Sequence, residues 1–360
     1  MRDQLISYFP VVCATFLVAL VLVTALTPRV EAFARRIGAL QQGGGRRVHE
    51  GAVPNIGGVA IFGGFMVALL VGSLVRPELL AAYREELLAI VLGGALMTLV
   101  GFFDDLWEVP VGTRLLCQFV AAGILVVNGV RVDFITNYFG ASPYQFFGVP
   151  LAAVLTLLWV VGFTNAFNFI DGLDGLSSGL AAISSLALLA VAVQLPDRGA
   201  AVLLLAALAG AALGFLRHNY NPAKVIMGDS GAYLLGYVLA AVSVLGSLKV
   251  TAAVTVAAPI LILALPVLNI TQVTLRRLSR RANPAAAAND HLHDLIRVRS
   301  GSKPLTVLVL WGAALVLGAC GMTLSQTPPE LIYLTVLATV VLVGGVSFLR
   351  VRELARETRL

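Results

Sequence analysis

Four polar side chains recur at three-residue intervals in the stretch NAFNFIDGLDGLSSG, which separates two long apolar runs. They are two amides and two carboxylates: Asn165, Asn168, Asp171 and Asp174. A charged side chain at the middle of a bilayer costs at least about 2.5 kcal/mol, so such residues are rare there and mark functional sites. Gly172 and Gly175 favour a turn. We therefore predict that the amides close one helix and that the carboxylates lie in the turn before the next. One of them could cap that helix, but capping would not account for four polar groups.

Two further acidic motifs lie where an apolar run begins or ends. Asp104 and Asp105 close a run in GFFDDL, where a helix C-terminus disfavours anions, so the pair indicates a cation nearby. Asp229 in MGDSG precedes another apolar run and is either an N-cap or a metal ligand. Lys224, close by in the sequence, could bind a phosphate. Carboxylate and amide oxygens suit Mg²⁺ or Mn²⁺, and the sequence has no Cys or His pattern typical of zinc.

Two basic segments also contain histidine. His291, His293 and Arg297 lie in ANDHLHDLIRVRSGSKP, and Arg47 and His49 lie in RRVHEGAVPNIGG. These side chains are either ordinary residues at the positive side of a membrane or ligands for a polyanion. Together with the acidic residues, these basic residues indicate a site for phosphate chemistry, in which the acids hold a metal ion and the cations orient the phosphate-bearing substrates.

The composition is that of an integral membrane protein. Of 360 residues, 59% are hydrophobic and 12% are charged, whereas soluble domains rarely exceed about half apolar residues. Apolar runs of about 20 residues can each cross a bilayer as a helix, and helices satisfy their own backbone in lipid. We predict an all-α polytopic membrane protein forming a single domain over residues 1–360. Its partner is the lipid bilayer and not nucleic acid.

Eleven candidate spans can be assigned along the chain. They are residues 9–26, 56–75, 87–103, 114–130, 149–167, 176–195, 200–216, 231–247, 251–275, 304–323 and 331–349. One set of alternate loops, together with Arg114 and the tail, carries 19 of the 25 Lys and Arg residues. The positive-inside rule makes that side cytoplasmic and places the N-terminus outside and the C-terminus in the cytoplasm. Every acidic motif and every His falls on the same side, which predicts an active site at the cytoplasmic face.

Taken together, the motifs resemble the polyprenyl-phosphate N-acetylhexosamine-1-phosphate transferases. The similarity runs from RRVHEGAVPNIGGVAI through GFFDDLWEVPVGTRLLCQ, NAFNFIDGLDGLSSG and MGDSGAYLLG to DHLHDL, in the same order and with the same spacing. Members of that family transfer a sugar 1-phosphate from a UDP-sugar to a lipid phosphate and release UMP. The resemblance implies a UDP-N-acetylhexosamine and undecaprenyl phosphate as substrates, Mg²⁺ or alternatively Mn²⁺ as cofactor, and the bacterial inner membrane as location.

The resemblance also assigns roles to individual residues. Asp229, Asn168 and Asp171 would hold the metal. The catalytic residues would be Asp104, Asp105, Asp171, His291 and His293. Substrate would be bound by Arg47, His49, Arg114, Asn165, Gly172, Leu173, Asp174, Lys224 and Arg297. Gly172, Leu173 and Asp174 among them would border the uridine, and Arg114 stands where many members have Lys.

Two motifs differ from those of the phospho-MurNAc-pentapeptide translocase branch. That branch typically has three adjacent histidines and a TPTMGG-like stretch, whereas this chain has HLHD and VPNIGG. We therefore expect a GlcNAc-1-phosphate transferase that initiates a cell-envelope polysaccharide, with the translocase as the alternative. A secondary transporter is a weaker alternative, because the acids cluster at one face and the sequence has no internal repeat. The oligomeric state stays open, with a homodimer among the options.

Overall fold

The protein is described by a computed structural model over residues 2–41, 52–136, 144–247, 257–279 and 291–357. Fourteen helices occur in these ranges: α1 (Arg2–Ile37), α2 (Gly58–Val75), α3 (Pro77–Ala82), α4 (Arg84–Trp107), α5 (Val111–Val127), α6 (Val149–Ile170), α7 (Leu176–Ala192), α8 (Gly199–Asn219), α9 (Gly228–Ser247), α10 (Ala257–Ile262), α11 (Ala264–Ser279), α12 (Leu292–Ser300), α13 (Lys303–Leu324) and α14 (Pro329–Glu357). Two short antiparallel pairs complete the described fold: β1 (Leu40–Gln41) with β2 (Val53–Pro54), and β3 (Phe134–Thr136) with β4 (Tyr144–Phe146).

The predicted all-α polytopic architecture is confirmed. In the described part of the chain, eight helices are long and apolar enough to cross a membrane: α1, α2, α4, α6, α8, α9, α13 and α14. The apolar helices α5 and α7 are shorter. Ten of the eleven predicted spans coincide with these ten helices.

The predicted ninth span, residues 251–275, does not form one long described helix. Its described part is divided between α10 and α11, and the count of eleven is not confirmed. Pro266 lies in the first turn of α11, where proline begins a helix more readily than it continues one. The apolar run therefore contains a helix boundary that its hydrophobicity does not indicate.

Helix α8 is the centre of the bundle. The apolar 18-residue stretch of α8 is wholly buried, whereas only 17% of the corresponding stretch of α14 is buried. The surface of α8 is rich in Ala and Gly, and a side chain at Gly210 or Gly214 would overlap or press on the backbone of α1. Small residues allow this close approach, which is a common way for helices to pack in membranes.

One end of the bundle collects the helix termini that carry the polar motifs. The C-terminal ends of α4, α6 and α8 and the N-terminal ends of α5, α7, α9 and α13 meet there. The β3–β4 hairpin connects α5 to α6 and therefore lies at the opposite end.

The segment before α9 is attached to the segment before α2 through the backbone. Ile226 N donates to Pro54 O at 2.8 Å, Gly57 N donates to Ile226 O at 3.1 Å, and Gly58 N donates to Met227 O at 2.8 Å. These bonds fix the start of α9, and hence the motif MGDSG, against the loop that follows β2.

Candidate active site

A cavity of about 670 Å³ opens at this end of the bundle. It is lined by Gln41, Asn55, Asp104, Asp105, Glu108, Val109, Arg114, Asn168, Asp171, Gly172, Leu173, Asp174, Asn219, Ile226, Gly228, Asp229 and Lys303. The acidic motifs, separated by up to 125 positions in the chain, therefore face one space, as the sequence predicted. Among the described residues, six acidic side chains but only two basic ones line it.

Asp104 is held by a cation, as the position of the acidic pair indicated. Its Oδ2 accepts a hydrogen bond from Arg114 Nη1 at 2.7 Å, and its Oδ1 accepts from Val109 N at 2.8 Å. The hydroxyl of Tyr233 lies 3.4 Å from both Asp104 Oδ2 and Arg114 Nη1. The carboxyl group is buried, so Arg114 compensates a charge that would otherwise be costly at a helix C-terminus.

Asp105 points in a different direction, towards the N-terminus of α9. Its Oδ1 accepts from Asp229 N at 2.8 Å and its Oδ2 accepts from Ser230 N at 3.2 Å. Asp229 lies inside the first turn of α9 and is therefore not its N-cap. The two carboxylates of GFFDDL thus have separate partners.

Asp229 and Asn168 are adjacent, and their role as ligands of one metal stays a prediction. Asn168 Nδ2 donates to Asp229 Oδ1 at 2.6 Å, which leaves the amide oxygen of Asn168 and Oδ2 of Asp229 for a further partner. Arg114 Nη1 lies 4.0 Å from that Oδ2.

The turn DGLDG separates α6 from α7, as the glycines indicated, and Gly175 adopts a left-handed conformation with φ of 79°. Removal from water raises the pKa of the Asp171 carboxyl to about 7. Asp174 does not cap α7. Its Oδ2 accepts from Asn221 Nδ2 at 2.9 Å and from Ala223 N at 3.1 Å, which binds the turn to the α8–α9 connection.

Asn165 is placed away from the cavity lining. Its Nδ2 donates to Gln118 Oε1 at 2.6 Å and to Val161 O at 2.8 Å, so the side chain links α6 to α5. Asn165 lies about one helical turn before Asn168 in α6, and of the two only Asn168 lines the cavity. Its predicted contact with substrate is not supported by this geometry.

The histidines form an aromatic stack beside the cavity. Phe169 stacks on His291 with ring centroids 5.9 Å apart, and His291 stacks on His293 at 5.5 Å with an interplanar angle of 1°. His293 is buried, and a side chain at Gly172 would overlap its ring. Burial lowers the pKa of His293 to about 4, so the ring is neutral at pH 7. The structure brings His293 to the back of the DGLDG turn, and its contact with a phosphate stays a prediction.

Asp294 lies close to both His293 and Arg297. Its Oδ2 lies 3.7 Å from His293 Nε2, and its Oδ1 lies 3.6 Å from Arg297 Nη2. Arg297 and Lys224 are not among the described residues that line the cavity, and Arg47 and His49 lie outside the described residues.

Several lining residues were missed by sequence reasoning. Asn219 ends α8, and its Oδ1 accepts from Gly175 N and from Ser178 Oγ, each at 3.0 Å, so it holds the start of α7. Asn55 donates to Asp105 O at 3.3 Å, and its own amide oxygen is buried without a hydrogen-bond partner. Lys303 begins α13 and reaches the lining. Only the extra polar residues of VPNIGG and RHNYNP could have drawn attention to the two amides.

The donor set fits a magnesium ion. Within the described ranges no group of three or more His, Cys, Asp or Glu residues converges on one point. Mg²⁺ bound with nucleotides commonly needs only one or two carboxylates, because phosphates and water complete its shell. Asp229, the amide oxygen of Asn168 and Asp171 offer such hard oxygen ligands at the cavity.

Comparison with known proteins gives a consistent picture. A family model described as glycosyl transferase family 4 matches residues 87–247, which contain all the acidic motifs. The chain is 33% identical over 303 residues to the probable undecaprenyl-phosphate N-acetylglucosaminyl 1-phosphate transferase of Bacillus subtilis (strain 168), with 83% of this chain and 81% of that protein covered.

Two further relatives represent other branches. Decaprenyl-phosphate N-acetylglucosaminephosphotransferase of Mycolicibacterium smegmatis is 32% identical, with 84% of this chain and 80% of that protein covered. Phospho-N-acetylmuramoyl-pentapeptide-transferase of Listeria welshimeri is 33% identical, but only 56% of this chain and 64% of that protein are covered. With its membrane-spanning bundle, its acid-lined cavity and these similarities, the chain belongs to glycosyl transferase family 4.

Proposed function

We propose that this chain transfers N-acetylglucosamine 1-phosphate from UDP-GlcNAc to undecaprenyl phosphate and releases UMP, as the initiating step of a cell-envelope polysaccharide. The observation that carries the proposal is the cavity in which three acidic motifs meet at one end of a membrane-spanning bundle. The relatives with the fuller coverage are named for this kind of transfer, onto undecaprenyl or decaprenyl phosphate.

The charge balance of the cavity supports a divalent cation, for which we propose Mg²⁺, with Mn²⁺ as the alternative. Both substrates are polyanions, yet the described lining contains six acids and two bases. Asp229, Asn168 and Asp171 would hold the ion, which when bound neutralises phosphate charge and favours displacement at phosphorus. Arg114 and Lys303 are the lining cations that would meet the remaining phosphate charge.

The chemical step is an in-line displacement. An oxygen of the lipid phosphate forms a bond to the sugar-bearing β-phosphorus, while the bond from that phosphorus to the bridging oxygen breaks and UMP leaves with the electron pair. The second pKa of a phosphate monoester is about 6, so the nucleophile is mostly ionised at neutral pH and requires no general base. Positioning and charge neutralisation then supply most of the catalysis.

The test is UMP release by the purified chain in detergent, with undecaprenyl phosphate and a panel of UDP-sugars. We expect turnover with UDP-GlcNAc, dependence on Mg²⁺ or Mn²⁺, and loss of nearly all turnover in Asp229→Asn with the fold retained. Turnover with UDP-MurNAc-pentapeptide alone would assign the chain to the translocase reaction. The absence of UMP release with every UDP-sugar would overturn the proposal.

We further propose that the cavity faces the cytoplasm of a bacterial inner membrane, with the N-terminus outside and the C-terminus inside. Single cysteines at Gln145 and Arg356, in a chain lacking its three native cysteines, test this orientation. Both positions are exposed. An impermeant thiol reagent should label Gln145→Cys and not Arg356→Cys in spheroplasts, and the reverse pattern would invert the topology.

A further inference from the structure

The start of α9 lacks a local cap. The first N–H groups of a helix have no partner within the helix, and the preceding side chain usually accepts from one of them. Here α9 begins at Gly228, which has no side chain, and Met227 precedes it. The backbone amides of Asp229 and Ser230 are satisfied instead by the two oxygens of Asp105, which lies 124 positions earlier in the chain.

Three glycines allow the close backbone packing that brings Asp105 within reach of the first turn of α9. A side chain at Gly228 would overlap both the carbonyl oxygen of Asn55 and the carboxylate of Asp105, and the φ of Gly228 is 70°, which favours glycine. Side chains at Gly101 of α4 and Gly58 of α2 would overlap the backbone of Ser230. The close approach of α2 and α4 to the first turn of α9 therefore depends on these glycines.

Asn55 fixes the other side of Asp105. Its Nδ2 donates to the carbonyl oxygen of Asp105 at 3.3 Å, while its own backbone N donates to Ala39 O at 3.2 Å. The C-terminal end of α4 is thereby connected to the β1–β2 segment. Asp105 is held in place by its backbone and bound to α9 through its side chain.

From these contacts we infer that Asp105 is a positioning residue: it fixes the first turn of α9 so that the Asp229 carboxylate faces the cavity. Each oxygen of Asp105 accepts one backbone N–H from the first turn of α9. Hydrogen bonds to a charged group are stronger than those between neutral groups, so both bonds together favour this arrangement. In this inference Asp105 acts through the backbone of α9 and not by direct contact with the lipid phosphate.

The two carboxylates of GFFDDL therefore have different roles. Asp104 holds Arg114 and the turn at Val109, whereas Asp105 holds the helix that carries Asp229. The part of the inference that concerns metal binding rests on the proposed function, but the capping contact does not. The experiment therefore measures both.

Hydrogen–deuterium exchange of the folded, full-length chain tests the contact itself. In Asp105→Ala, the peptide covering the first turn of α9 should exchange at least tenfold faster, while Asp104→Ala should leave that peptide close to the parent. Asp105→Asn retains one acceptor oxygen and should give an intermediate rate. Parental exchange in Asp105→Ala would overturn the inference.

Binding of Mn²⁺ alone, followed by electron paramagnetic resonance, tests the consequence for Asp229 without any sugar nucleotide. Asp105→Ala should weaken binding at least tenfold, and Asp105→Asn should recover part of the loss. In an Asp229→Asn background, Asp105→Ala should add no further loss, because Asp105 acts through Asp229.

Turnover, measured separately, distinguishes the two possible failures. Parental Mn²⁺ binding in Asp105→Ala, together with abolished UMP release, would make Asp105 a catalytic group and overturn the inference. A parent chain that binds Mn²⁺ but uses no UDP-sugar would overturn the proposed function alone, and the exchange and Mn²⁺ results would still decide the role of Asp105.

Discussion

We expect the ion pair between Arg114 and Asp104 to contribute measurably to the free energy of unfolding. The Asp104 side chain is 4% exposed and the Arg114 side chain 28% exposed, with 2.7 Å between Oδ2 and Nη1. Removing one partner of a fully buried pair costs about 3 to 5 kcal/mol, because an uncompensated charge remains. Since Arg114 is partly exposed and Val109 N still donates to Asp104, we expect Arg114→Met to lower the free energy of unfolding by about 2 to 3 kcal/mol.

Arg131 provides a matched control. It pairs with Asp133 at 2.6 Å, and its own exposure of 29% is nearly that of Arg114, but Asp133 is 36% exposed. Exposed pairs are worth at most about 1 kcal/mol, so Arg131→Met should cost little. The difference in stability loss between Arg114→Met and Arg131→Met therefore reports the effect of burying the partner carboxylate.

The measurement is denaturant-induced unfolding in detergent, with UMP release measured on the same preparations. Arg114→Lys should keep most of the stability, because a cation still faces Asp104, but it loses the planar guanidinium and its contact with Tyr233. Asp104→Asn combined with Arg114→Met should recover part of the stability but not the turnover. Equal losses in Arg114→Met and Arg131→Met would refute the electrostatic reasoning.

Three other predictions follow from contacts beside the cavity. Asn165→Ala should cost about 1 to 2 kcal/mol of stability through its lost bond to Gln118 and leave the KM for UDP-GlcNAc unchanged; a large rise in KM would restore Asn165 to the substrate site. Because burial lowers the pKa of His293 from 6.5 to about 4, the unfolded chain binds the additional proton below pH 6.5. Stability should therefore fall by up to about 3 kcal/mol from pH 6.5 to 4, and His293→Asn should flatten that part of the melting profile. Gly172→Ala should displace the His293 ring and lower kcat, which a parental kcat would contradict.

Much of the architecture could be predicted from local sequence. Ten of the helices follow directly from apolar runs, and the glycines of DGLDG correctly indicated the turn between α6 and α7. The cation beside the acidic pair could be expected from the helix dipole, because the unfavourable position of Asp104 requires compensation. These features depend on neighbours within a few residues or on average hydrophobicity.

The rest depends on contacts that no local spacing encodes. Asp105 caps a helix 124 positions away, and Asn219 holds the start of α7 across 44 positions. Asn165 and Asn168 look equivalent in the sequence, but one helical turn places the first against Gln118 and the second against Asp229. The ninth span is not confirmed as one helix, because a hydrophobic run does not reveal where one helix ends and another begins.

The polar residues of this chain divide into those that contact the cavity and those that hold other groups in place. Asp105, Asp174 and Asn219 each accept backbone N–H groups at the start of a helix or a loop, and that use accounts for part of the polar cluster in this apolar protein. Helix ends expose unpaired backbone groups, which side chains must satisfy where water is scarce. A membrane protein that builds its site from seven helix ends therefore needs an excess of acceptors before any substrate is bound. The Asp229 carboxylate instead has one oxygen on Asn168 and the other directed towards Arg114, so these partners are side chains of the cavity, and the proposed chemistry centres on it.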